Sequence, residues 1–144
     1  MKDVVQLRII WGGILTSQIF ISVIPFIILK ESNIRPTGEN IVINSILVSI
    51  ACVSAFMSFF ISKFLLLKIK ENKNLSTSKN IEVKDIIPAL IIKFALIEGV
   101  SLMGIVAAMI NQNWQHVIPF ISVGIGLHLM AFPGDEKINN LIKK

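Results

Sequence analysis

The sequence is poor in the residues that crosslink chains or bind metals. Its single cysteine, Cys52, cannot form an intramolecular disulfide. Beside it there are two histidines, His116 and His128, too scattered to make a metal-ligand cluster. The glycine patterns of P-loops and dinucleotide folds are missing. No serine, histidine and acid set is recognisable, so neither an enzyme nor a cofactor is expected. Charge is scarce as well. Only 16% of residues are charged, while 53% are hydrophobic and the mean hydropathy is +0.75. A soluble domain of 144 residues needs far more polar surface to cover its core. Period-two alternation is also lacking, which excludes strands and a membrane β-barrel.

The chain is rich in long apolar runs. A spanning helix needs about 20 mostly apolar residues, and four stretches qualify. They are residues 9–29, closed by Lys30 and Glu31, residues 41–67, residues 86–110, and residues 114–132, stopped by Pro133-Gly134. Pro88 suits the first turn of the third. The fold class expected is all-α, a polytopic four-transmembrane-helix bundle forming a single membrane domain over 1–144. The first apolar run lacks a small-residue cleavage site and reads as a retained span.

The connections are polar. Residues 30–40 are short with balanced charge. Residues 68–85 are rich in Lys, Asn and Ser and read as a cytoplasmic loop. Residues 111–113 make a tight hairpin. The tail, 135–144, places Ile138, Leu141 and Ile142 at helical spacing beside lysines, as in an interfacial helix. The formal charge of +5 could suggest nucleic acid. The basic residues flank the apolar runs, however, which is the pattern of membrane anchoring, so the expected partner is the lipid bilayer.

Lysine and arginine counts set the orientation. Six lysines lie between Lys63 and Lys84, three in the tail, and Lys2 and Arg8 precede the first span, against Lys30 and Arg35 in the first loop. Eleven against two puts both termini and residues 68–85 inside, N-in/C-in. Trp114 then falls at the outer interface and Trp11 near the inner one.

Glu98 is the only acidic residue within a span core. An ionised side chain at that depth costs on the order of 3 kcal/mol on insertion scales, and such a group is a functional-site candidate by default. The bland alternative is an acid that only hydrogen-bonds a neighbouring helix. Aligning the helices by depth places Gln18, with Thr16 and Ser17, then Cys52 and Ser54, and Ser122, with Gly124, in the same polar layer. Gln18 is the expected direct partner. Lys93 and His128 share a second layer, where snorkelling by Lys93 and a structural role for His128 are the simpler readings. Small residues recur at Ser45, Ser49, Cys52, Ala55 and Ser62. Together with Gly99, Gly104, Gly124 and Gly126 they offer helix-packing surfaces, within one bundle or between copies. The sequence VIPFI at 23–27 and 117–121 reads as two proline kinks.

The segment ALIEGVSLMGIVAAMI resembles the carboxylate helix of proteolipid c subunits of rotary ATP synthases, where a glycine also stands six positions after the acid. Glu98 and Gly104 have that spacing. The family's glycine repeat is absent, and Arg35-Pro36 lies in a different loop from its Arg-Pro pair. The whole chain also resembles small bacterial four-helix membrane proteins, through Leu7-Arg8-Ile9-Ile10 and a Glu-bearing third helix. That likeness implies the bacterial cytoplasmic (inner) membrane. Three functions are open at this point. The first is a small integral subunit of a larger membrane complex, bound to other subunits or copies of itself. The second is proton or cation handling through Glu98, as the c-subunit resemblance implies, and the third is a free-standing small transporter.

Overall fold

The computed structural model of the chain describes residues 2–31, 40–75 and 81–143. The loop containing Arg35-Pro36 and the middle of the Lys-rich segment lie outside the described residues. Of those described, 93% are helical and none is in a strand. The order is α1 (Lys2–Glu31), α2 (Ile41–Leu75), α3 (Val83–Asn111), a 3-10 turn (Trp114–His116), α4 (Val117–Met130) and α5 (Asp135–Lys143). Helix is the form that satisfies every backbone group within one segment, and these apolar runs need that where no water can help.

α3 is the hub. It packs along α2, α4 and α1, and a larger share of it is buried than of α1 or α2. Its N-terminus is fixed by Asp85, whose carboxylate accepts from the Glu82 backbone N–H at 2.8 Å. Its C-terminus ends on Gln112 in the left-handed conformation (φ 51°), with that residue's N–H returned to Ala108. Pro88 lies in the second turn, because α3 starts at Val83, ahead of the apolar run. Its missing N–H therefore removes one ladder bond. Pro25 sits well inside α1. Pro119 is the third residue of α4, where an N–H has no intrahelical acceptor in any case, so it starts that helix and does not kink it.

The helices outrun the apolar stretches. α2 continues to Leu75 and α3 begins at Val83, so residues 68–75 and 83–85, read as loop, are helix. α1, α2 and α3 are each long and apolar enough to cross a bilayer. The stretch 114–132 is shorter than expected. From Trp114 to Met130 it covers about 27 Å, just under a hydrocarbon core of about 30 Å. It meets the length test only together with α5, from which it bends by 64°. The bend falls at Pro133-Gly134. α5 has one apolar face, and Ile138 from that face is buried with Leu7, Ile86, Phe94 and Ala131. Arg8 fastens it, pairing with Asp135 at 2.8 Å and donating to the Pro133 carbonyl.

The opposite end is tied by Asn111, which is 1% exposed. Its amide donates to Asn44 Oδ1 and to the Ala107 carbonyl, both at 2.7 Å, and its oxygen accepts from the Asn40 N–H. Asn111→Ala should destabilise the fold by about 1–3 kcal/mol, because it strands the Asn40 donor and the Asn44 acceptor. Thermal unfolding in detergent measures this, and an unchanged midpoint would contradict it.

Candidate functional site

Three helices build a polar layer near the middle of the bundle. Glu98 enters it from α3, half-buried. Its Oε1 accepts from the Ser17 hydroxyl of α1 at 2.9 Å. The carboxylate partner is thus Ser17 and not Gln18. These neighbours point about 100° apart on the helix, and the rotation of α1 turns Ser17 to Glu98. Gln18, 1% exposed, reaches one turn further along α3 and donates to Ser101. Gly124 of α4 closes this second contact, since a Cβ there would collide with both Ser101 Oγ and Gln18 Nε2. Gln18 Oε1 is buried and has no partner among the described residues.

His128 lies one turn after Gly124 on the same face of α4. It is fully buried, with its ring stacked on Phe94 at 5.9 Å. Its backbone carbonyl accepts from the Trp11 indole N–H at 3.0 Å. Trp11 therefore spends its donor inside the bundle, and its ring meets Phe132 edge-on. Neither ring nitrogen of His128 has a partner among the described residues. Glu98 stands one turn of α3 from Phe94, which carries the ring.

The remaining candidates are elsewhere. Ser122 is exposed, two residues round the helix from Gly124, and does not join the layer. Lys93 turns to α2, its ammonium 4.7 Å from the Phe59 ring centre, and does not meet His128. The α2 residues buried against α3 are Leu47, Ala51, Ser58 and Ser62, spaced four and seven apart. Ser45, Ser49 and Cys52 lie off that seam and are exposed, so within this chain they pack nothing. Ser45 and Ser49 return their hydroxyls to their own helix. Gly104 is a true close approach, because a Cβ there would stand 2.6 Å from the Cβ of Phe120. Gly99 has only Ser54 nearby, at 4.0 Å, and Gly126 faces open space. Ser101 was missed by depth alignment, although its i+3 spacing from Glu98 puts it on the same face.

Fold and site together define an all-helical protein of membrane type, with three to four apolar helices and a polar layer between α1, α3 and α4. No protein-family model, no curated protein and no solved structure matches the chain.

Proposed function

We propose that this chain is a small integral membrane protein of four spans that binds and releases a proton at Glu98. One observation carries the reading. Among the described residues the carboxyl group has one hydrogen bond, from Ser17, and it lies among groups that could pass a proton, inside helices whose outer surface is apolar. Because the side chain is only half-buried, its other oxygen is open to gain or lose a proton. Hydrophobic carbodiimides add to protonated carboxyls within apolar regions. Glu98 should be modified in lipid, more at low pH than at high, and Glu98→Gln should leave that position unmodified. No reaction at Glu98 at any pH would overturn the reading.

The lysine count supports an orientation with both termini and the Lys-rich segment in the cytoplasm of a bacterial cell. Single cysteines at Ser76 and Ser32, in a Cys52→Ser background, test this on whole cells. An impermeant thiol reagent should label position 32 and not 76, and the reverse pattern would invert the topology.

A second reading is a subunit of a larger membrane complex, favoured by the α2 surface. An apolar groove of about 240 Å³ runs between α2 and α4, lined by Val48, Cys52, Ala55, Val100 and Phe120. The exposed Ser45–Ser49–Cys52 side borders it and would let another helix approach closely. Copurification in gentle detergent of a stoichiometric membrane partner would favour this reading, and a chain recovered alone would count against it.

A further inference from the structure

Four layers are stacked along the α1–α3–α4 interface. Gln18, Ser101 and Gly124 form the first, and Ser17 with Glu98 the second. His128 on Phe94 forms the third, one turn of α3 away from Glu98. The last is a plug of Trp11 and Phe132, closed outside by Arg8 and Asp135. In this stack His128 is anomalous. It is a fully buried imidazole whose two nitrogens, one a donor and one an acceptor in the neutral ring, have no partner among the described residues. A histidine kept for packing would be expected to satisfy at least one of them.

We propose that His128 is the proton-relay partner of Glu98, passing the proton between the carboxyl and the end of the bundle covered by α5. This rests on the reading of Glu98 as a proton-exchanging group. Glu98 and His128 are not in direct hydrogen-bond contact, so in the transfer step a carboxyl oxygen of Glu98 gives its proton to a bridging water, which gives one of its own protons to a ring nitrogen of His128. Acid and imidazole become carboxylate and imidazolium, so the net charge of the pair is unchanged. Among the described residues, the charged groups of the neighbouring helices are engaged elsewhere. On α1, Arg8 is paired with Asp135 of α5 beyond Phe132. Lys137 of α5 donates to the Met130 carbonyl, and Lys93 of α3 lies over Phe59 of α2. Glu98 is the acid that α3 carries one turn from Phe94, the residue on which the ring is stacked.

The test is ¹⁵N NMR of the His128 ring in the full-length chain in lipid, with His116→Gln leaving one histidine. Glu98→Gln keeps the size of the side chain and an acceptor for Ser17, and His128 itself stays intact. Removing the negative neighbour should lower the proton affinity of the ring about tenfold, a downward shift in midpoint of about one pH unit. Equal midpoints with and without Glu98 would overturn the proposal. So would a ring that keeps one protonation state from about pH 4 to about pH 9 in both proteins, since an unperturbed imidazole titrates within that range. Carbodiimide modification of Glu98 with equal midpoints would leave the reading of Glu98 standing and remove His128 from it. A shifted midpoint without modification would support the coupling of the two groups and count against exchange at Glu98.

Discussion

Gly124→Leu is expected to lower the stability of the bundle by more than about 3 kcal/mol, the upper range for overpacking. In a chain of this size that is a fall in Tm of about 10 °C. The cause is space and not backbone strain, because no glycine among the described residues has positive φ. At Gly124 three helices meet, and even a Cβ would strike Ser101 Oγ and Gln18 Nε2. A leucine there must push α4 away from α1 and α3, break the Gln18–Ser101 bond and leave two buried polar groups unpaired. Gly126→Leu supplies the matched control. It adds the same bulk to the same helix, where nothing lies within 4 Å, and should move Tm by less than about 2 °C. Circular dichroism in detergent reads both variants. Equal melting would mean that α4 does not approach α1 and α3 at Gly124.

That contrast also marks what could be read before the structure. Gly124 and Gly126 look alike in the sequence, and so do the two sets of small residues on α2. The apolar helices themselves were legible, because continuous apolar runs of this length form helices. Rotation about each helix axis was not. A helix that is apolar all round has no preferred face, so depth could place residues in a layer but could not say which way they point. Ser17 therefore took the role expected of Gln18. Phe94, and not Lys93, turned to His128. Of the small residues expected to pack on α2, Ser62 lies in the seam, beside Leu47, Ala51 and Ser58, whereas Ser45, Ser49 and Cys52 do not. α5 is the instructive exception. Its polar residues outline an apolar face, and Ile138, read from spacing alone, is buried where that face meets α1 and α3.

The ends of the helices were misjudged for a different reason. Hydropathy reports where apolar residues stop, whereas backbone hydrogen bonding continues through Lys, Asn and Glu. α2 accordingly extends well past residue 67, and α3 starts at Val83, ahead of Ile86. The Asn44–Asn111 tie was missed because both residues look like ordinary loop-edge amides until the hairpin brings them together.

Glu98→Gln carries the largest functional effect expected here. Glutamine keeps the size of the side chain and can still accept from Ser17, but it cannot gain or lose a proton near neutral pH. A structural acid would tolerate the exchange, and a proton-exchanging one would not. The direct measurement is proton flux into liposomes containing the purified chain, driven by an imposed potential and read by an internal pH-sensitive dye. Wild-type protein should carry a flux above that of empty liposomes. Glu98→Gln should reduce it by about 100-fold or more, the scale of loss when a positioned acid–base group is removed, while its melting stays that of the wild type. A Glu98→Gln variant that passes protons as fast as the wild type, or a wild-type chain that passes none, would contradict the account.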